Sequence, residues 1–194
     1  MDKKSFRQEM KSRLKDQSLE DRDRKSLLLK DKLFGDPTFK KARTVLFYVG
    51  FGGEVNTVPM IEEAISTGKR VLLPQVDLEK KELKLFEIRD LRSQLRSGPM
   101  GIQEPDPSKV KAVAADQVDC VIVPGLAFDK HKRRLGRGAG FYDRFLSTTS
   151  ARPWGVGWEA QLSAEPVPVG PNDIRMWALC TEDGWRRAET PEAG

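Results

Sequence analysis

The residues best suited to chemistry lie in RLGRGAGFYDR, Arg134 to Arg144. Three arginines surround three alternating glycines, Gly136, Gly138 and Gly140, with Leu135 and Ala139 between them. Phe141, Tyr142 and Asp143 follow. The segment lacks the Lys-Ser/Thr pair of a P-loop, and its glycine spacing is not that of a dinucleotide fingerprint. Its own chemistry still suits phosphate. Glycines let backbone N–H groups approach a ligand closely. Arg134 and Arg137 each offer a forked, permanently charged donor. A helix opening at Phe141 would point its positive end to the same place, and Asp143 in its first turn could hold Mg²⁺ against phosphates. The alternative is a basic surface loop in which Asp143 only caps a helix.

Other candidates are scattered along the chain. Lys3 and Arg7 lie four apart on one helix face, with Lys11 continuing the row. They form either a solvated stripe or a cationic arm over the glycine loop. Glu54 in GGEVNT follows an apolar run, where an acid could bind a polar ring or simply close a turn. Asp173 in GPNDI is by residue type a turn acid. Trp154, Trp158, Phe141 and Tyr142 could wall a flat ligand, although such residues more commonly form core. The one histidine, His131, sits among lysines and reads as solvated. No Ser-His-Asp or Cys-His constellation assembles, and no Cys or His pair has zinc spacing.

The elements that must position these groups are legible from periodicity. Phe6, Met10 and Leu14 recur at helical spacing. A second helix starts at Ser18, with SLED supplying a cap and an acid three residues on, and ends near Phe34 before GDP. RTVLFYV (43–49) is a nearly continuous apolar run, the mark of a strand buried on both faces. TVPMIEEAISTG is a helix with Thr57 as its cap, and RVLLP is the next strand. LKLFEI (83–88) alternates as a more exposed strand does. DLRSQLRSGPMGIQEPDP reads as mostly loop with one helical turn. VDCVIVP (118–124), PWGVGW and IRMWALCT are further strands, and AGFYDRFL opens a helix. The tail after Trp185 is polar and reads as frayed. Buried strands alternating with helices predict an α/β fold, a mostly parallel sheet covered on both faces. Ligands in such sheets sit beyond the carboxyl ends of the strands. That rule selects the loops after LFYV, RVLLP and CVIVP, and the opening stretch lies in the third.

The 194 residues suit one domain, 1–194. At 38% hydrophobic, in blocks, the chain can build a real core. A net charge of +5 is mild; it suits an anionic small molecule as well as nucleic acid. No recognition helix or RNP-type strand supports the nucleic-acid option. No signal-peptide core or membrane-length apolar run is present. Cys120 and Cys180 lie in apolar runs and read as reduced core thiols of a cytoplasmic protein.

Assembled, these segments resemble the 5-formyltetrahydrofolate cyclo-ligase family, also called methenyltetrahydrofolate synthetase. The strongest piece is VPGLAFDKHKRRLGRGAGFYDRFL. Lys3 and Arg7 in K-x-x-x-R, GGEVNT, RVLLPQV, GIQEP, GVGWEAQ, VPVGPNDI and CTEDG occur in the family's order, from Lys3 to about Gly184. The resemblance implies a three-layer α/β/α sandwich of the sugar-phosphate isomerase and CoA-transferase type. It implies ATP-dependent closure of 5-formyltetrahydrofolate to 5,10-methenyltetrahydrofolate, releasing ADP and phosphate.

Carried over by position, Lys3, Arg7 and the loop Arg134, Leu135, Gly136, Arg137, Gly138, Ala139, Gly140, Phe141 and Tyr142 would bind ATP. Arg134 and Tyr142 would be the catalytic pair. Asp143 and Asp173 would hold Mg²⁺. Glu54, Trp158 and Gln161 would take the reduced folate, including polyglutamylated forms. No nucleic-acid or membrane partner is implied. The alternative is a non-catalytic folate- or nucleotide-binding relative. Some positions depart from the family. Lys132 stands where a glycine is usual, and a left-handed conformation there would cost about 1 kcal/mol. Ala139 stands where some members carry lysine. Asn172 and Trp177 replace a common histidine and acid.

Overall fold

A computed structural model describes residues 2–14, 18–98 and 101–187. Helices α1 (Lys3–Arg13), α2 (Leu19–Gly35) and α3 (Pro37–Lys41) lead into strand β1 (Thr44–Leu46). Helix α4 (Val58–Ser66) connects it to β2 (Arg70–Asp77), and β3 (Glu82–Ile88) returns antiparallel. The turn α5 (Leu91–Gln94), the ribbon β4 (Leu95–Ser97) and β5 (Gln103–Pro105), and β6 (Ala112–Val113) follow. Then come β7 (Cys120–Val123), β8 (Ala127–Asp129), β9 (Arg134–Leu135), α6 (Phe141–Leu146) and β10 (Arg152–Val156). β11 (Leu162–Ser163), β12 (Ala178–Thr181) and β13 (Gly184–Arg187) complete the described chain.

The main sheet runs β13-β12-β10-β7-β1-β2-β3-β6. Its central strands β12, β10, β7, β1 and β2 are parallel, β13 and β3 run antiparallel to them, and β6 pairs antiparallel with β3. Period-2 alternation explains the two cores. Val45, Val71, Cys120 and Ile122 face helices α1 to α4, which contribute Phe6, Met10, Leu29, Leu33, Phe39 and Ile61. Leu46, Leu72, Val121 and Val123 face the other way, onto Phe145 and Leu146 of α6. The α/β sandwich with a mostly parallel sheet is therefore present, with more helix on one face than on the other.

Several local expectations hold. Ser18 accepts from the Asp21 amide at 3.1 Å and caps α2. Thr57 sits at the cap of α4, but its side chain makes no capping bond. Its hydroxyl instead donates to the Tyr48 carbonyl at 2.5 Å and accepts from Gly50 N at 3.1 Å, closing the loop after β1. The regular part of β1 is shorter than the apolar run. β3 is exposed at its start and buried at Leu85, Phe86 and Ile88. The segment after β3 is less loop-like than its composition indicated, because β4 and β5 pair there. Residues Trp185 to Arg187 are in β13, so the chain does not fray at Trp185; the rest of the tail lies outside the described residues. Lys132 has φ 61, the left-handed conformation that a glycine would take without strain. Among the described residues no helix is long and apolar enough to cross a membrane.

β1 sits between β2, which follows it, and β7, which comes much later. The strand order thus reverses between β1 and β7. Loops leaving neighbouring strands at such a point diverge and leave a crevice.

Candidate active site

Two loops meet at that crevice. The first, Tyr48–Thr57, leaves the β1 side and is anchored by α2. Arg22 Nη2 donates to the Glu54 carbonyl at 3.0 Å, and Ser26 Oγ accepts from Asn56 N at 3.0 Å. Gly50 is required by close approach, since a Cβ there would lie 2.0 Å from the Val55 carbonyl oxygen. The second loop leaves β7 at Pro124. It is not one open loop before the helix, because β8 and β9 pair as a hairpin within it. Asp129, 1% exposed, shapes the hairpin turn: it accepts from the His131 and Arg133 amides at 2.8 and 3.0 Å and from Val167 N at 2.9 Å. Gly138 (φ 115) and Gly140 (φ 70) then take conformations that disfavour a side chain. A Cβ at Gly136 would come 2.8 Å from Arg134 Nη1.

The crevice holds a cavity of about 490 Å³. Its wall includes Lys3, Arg7, Glu54, every residue from Arg134 to Asp143, and Asp173. Helix α1 therefore does lie over the glycine loop. Arg7 Nε donates to the Gly136 carbonyl at 2.9 Å, and Lys3 Nζ reaches Asp173 Oδ2 at 2.5 Å. Lys11, farther along α1, is exposed. Tyr48, Phe51, Leu73, Leu83, Ile102 and Glu104 complete much of the rest, so the cavity is cationic along α1 and the glycine loop and more apolar toward β2 and β3.

Three of the cavity's basic groups, Lys3, Arg134 and Arg137, are held by acids of the chain. Arg134, 7% exposed, donates from Nη2 to Asp143 Oδ2 at 2.6 Å and from Nη1 to the Pro124 carbonyl at 3.2 Å. Arg137 donates to Glu54 Oε1 and stacks its guanidinium 4.3 Å from the Phe51 ring centre. Burial raises the Glu54 carboxyl above its ordinary range, opposed by the charge and hydrogen bonds of Arg137. Burial works against ionised Asp173 too, but Lys3, the Gly170 amide and the charge of Arg134 hold its carboxyl below the usual range. The Tyr142 hydroxyl is pushed upward by burial and then by Glu54, so it stays neutral and can donate.

Asp143 and Asp173 adjoin. The amide of Ile174, the residue after Asp173, donates to Asp143 Oδ1 at 3.1 Å. No cluster of three or more His, Cys, Asp and Glu groups that could hold a metal occurs among the described residues. Asp143 and Asp173 both line the cavity, and acids of this kind suit Mg²⁺ in chemistry, since it keeps several waters and takes one or two carboxylates together with substrate phosphates.

The family resemblance assigns Trp158 and Gln161 to the folate, but neither lines the cavity. Trp158 is fully buried and donates from Nε1 to the Gly53 carbonyl at 2.9 Å. Gln161 accepts from Trp158 N at 2.7 Å and donates to the Gly125 carbonyl at 2.6 Å. They brace both loops from behind. Their hydrogen-bonding groups serve the backbone, which a residue's type cannot reveal. Trp154 is likewise core, whereas Phe141 and Tyr142 are on the wall.

The model of the 5-formyltetrahydrofolate cyclo-ligase family matches residues 1–182. The chain belongs to that family. The Escherichia coli (strain K12) 5-formyltetrahydrofolate cyclo-ligase is 34% identical over 148 residues, covering 75% of this chain and 81% of the relative. The mouse enzyme of the same name is 26% identical over 191 residues, covering 93% and 94%. The NMR structure of Aquifex aeolicus 5,10-methenyltetrahydrofolate synthetase superposes with a TM-score of 0.86 at 32% identity, covering 100% of this chain and 96% of that one. The cavity between β1 and β7 is thus the candidate active site of a cyclo-ligase.

Proposed function

We propose that this cavity carries out the family's reaction with the residues placed above. The chain is an ATP-dependent ligase: it converts 5-formyltetrahydrofolate to 5,10-methenyltetrahydrofolate and releases ADP and phosphate. The observation that carries the residue assignments is the joining of two chemistries in one space. Lys3, Arg7, Arg134 and the glycine loop form a cationic side, and Glu54 lies beside them through Arg137.

The reaction asks mainly for positioning and charge neutralisation. The formyl oxygen attacks the γ-phosphorus and the bond to ADP breaks. The bridge nitrogen then attacks the activated carbon, loses its proton, and phosphate leaves with the former formyl oxygen. Arg134, Lys3 and Arg7 stabilise the phosphoryl group during transfer. Amides of Gly136 to Gly140 approach the phosphates, and the neutral Tyr142 hydroxyl donates a hydrogen bond toward them. Asp143, with Asp173 second, holds Mg²⁺, which supplies further neutralisation of phosphate charge. Glu54 accepts hydrogen bonds from the pterin ring. Trp158 and Gln161 support the folate side indirectly, through Gly53 and Gly125. Basic groups at the cavity suit folates with polyglutamate tails. A cytoplasmic setting suits Cys120 and Cys180, both buried free thiols.

The test is to mix protein, MgATP and 5-formyltetrahydrofolate and follow the methenyl chromophore. Growth of the chromophore only with ATP supports the reading. Folate and ATP binding without turnover would favour a non-catalytic binding relative.

A further inference from the structure

Tyr48 belongs to the cavity wall and has no part in the reaction described so far. The residue follows β1 on the ligand side of the sheet and is 5% exposed. Its carbonyl is fixed by the Thr57 hydroxyl, and its ring packs by Gly50, where a Cβ would lie 3.6 Å from Tyr48 Cε2. Its hydroxyl is buried and has no hydrogen-bond partner among the described residues. Leaving such a group unpaired is costly, and buried polar groups without partners are rare enough to ask for a reason. The hydroxyl is a neutral donor: burial first, then the charge of Glu54, hold its proton well above the ordinary range, with Arg137 opposing. Glu54 and Tyr48 therefore offer a carboxylate acceptor and a phenol donor on one stretch of wall.

That pair matches one edge of a pterin. The edge carries an amino group and a ring N–H, both donors, next to a carbonyl oxygen, an acceptor. A carboxylate alone satisfies the first two and leaves the oxygen unread. We propose that Tyr48 is a specificity-determining residue of the folate site, its hydroxyl donating to the 4-oxo oxygen while Glu54 accepts from the neighbouring N–H and amino group. This rests on the folate assignment of the preceding section. It also gives the unpaired hydroxyl a reason: the ligand completes it. A 2,4-diaminopteridine folate analogue puts an amino group in place of that oxygen and a bare ring nitrogen in place of the ring N–H, so it offers Tyr48 no oxygen to donate to and turns a lone pair toward Glu54, and it should bind more weakly. Sites built around a hydrogen bond discriminate strongly against ligands that cannot make it.

The experiment compares the parent chain with Tyr48→Phe. Equilibrium binding of 5-formyltetrahydrofolate and of a 2,4-diamino analogue is measured without ATP, beside the KM for ATP and the melting temperature. Tyr48→Phe should bind the oxo-folate roughly 3- to 10-fold more weakly, the worth of one neutral hydrogen bond. It should discriminate less between the two pteridines, keep the KM for ATP, and melt at the same temperature or higher, because an unpaired buried hydroxyl has been removed. Unchanged oxo-folate affinity in Tyr48→Phe overturns the proposal while leaving the folate assignment intact. A lower melting temperature with equal losses for both pteridines and ATP also overturns it, since that marks a structural hydroxyl. Failure of the parent to bind 5-formyltetrahydrofolate at all overturns the folate assignment and this proposal together.

Discussion

The guanidinium of Arg137 gives both Nε and Nη2 to one oxygen of Glu54, at 3.0 and 2.7 Å, across 83 residues of sequence. This bond ties the glycine loop to the acid after β1. Glu54 is buried and its second oxygen accepts from Phe51 N at 3.3 Å, whereas the Arg137 side chain is 44% exposed. The acid is thus the fixed partner and the arginine the movable one. An arginine that bound phosphate in one arrangement and a pterin-binding acid in another would couple the two halves of the cavity. Glu54→Gln should raise the KM for folate about tenfold or more and that for ATP much less. In a double-mutant cycle with Arg137→Ala, the folate effects should fail to add by about 1 kcal/mol. Strict additivity would mean that the bond has no bearing on folate binding.

Arg134→Ala and Arg137→Ala should both weaken ATP use, Arg134 the more. Arg134 is nearly enclosed and shares Asp143, so its loss strips the cavity of a fixed cation and leaves an acid unpaired. Arg137 is held by Glu54 and would have to leave it to reach phosphate. Turnover at low ATP should fall by at least about tenfold for Arg134→Ala and several-fold for Arg137→Ala, from charge-assisted bonds worth roughly 1.5–3 kcal/mol. Equal turnover in both variants and the parent would remove the phosphate role from this loop.

Glu54 also sets a pH signature. Burial raises its folded pKa above the reference of 4.5, so the folded state binds the proton more tightly than the unfolded chain. Its contribution to stability is full below the unfolded value and is lost as pH rises through the folded one. Asp173 runs the opposite way: its lowered folded pKa gives a contribution present above the unfolded value and lost as pH falls through the folded one. Glu54→Gln should therefore gain in melting temperature relative to the parent as pH rises from about 4 to about 7. A difference that stays flat over this range would show that Arg137 fully offsets the burial of the carboxyl.

Much of this was legible in the sequence because period and residue type agree. Apolar runs marked β1, β2 and β7, and the rule of carboxyl-end loops led to both loops that meet at the cavity. Lys3, Arg7 and Asp173, whose residue types alone favour a solvated stripe and a turn acid, are marked by the family resemblance, and with Glu54 and Asp143 they all reach its wall. What stayed hidden was set by tertiary context. β4, β5, β8 and β9 are too short, and too rich in Gly, Pro and charge nearby, to show a period. Trp158 and Gln161 have side chains that suit a ligand as well as a backbone carbonyl, and only the fold decides between them. Tyr48 lies inside an apolar run, VLFYV, which hides a polar tip among core residues. Lys132 is the opposite case, since a lysine at a glycine position foretold the left-handed backbone found there.

Gly50 tests the loop that carries Glu54. A methyl there would meet a backbone oxygen rather than a flexible side chain, so the loop must shift. Gly50→Ala should lower folate affinity by more than about tenfold while the main sheet still melts cooperatively, because loop distortion is local and strain of this kind costs on the order of 1–3 kcal/mol. Parent-like folate binding by this variant would mean that the loop can move without displacing Glu54.

Asp143 decides what the glycine loop is for. Its two oxygens are occupied by different partners, Arg134 at 2.6 Å and the Ile174 amide at 3.1 Å, and its neighbour Asp173 is held by Lys3. Asparagine can keep an oxygen for one of these partners, and the cap residue of α6 is Gly140, so Asp143 does not cap the helix. Were Asp143 only a partner for Arg134 and the Ile174 amide, Asp143→Asn would lower stability modestly and leave turnover close to that of the parent at every Mg²⁺ concentration. As a Mg²⁺ ligand it loses its charge in the same substitution, and a hard cation held by few carboxylates depends strongly on each. Turnover should then fall by about 100-fold or more at ordinary Mg²⁺, with partial recovery as Mg²⁺ is raised. Thermal melting of the variant separates this from unfolding. Full activity at ordinary Mg²⁺ would falsify the metal role and leave Arg134–Asp143 as a structural pair beneath a phosphate loop.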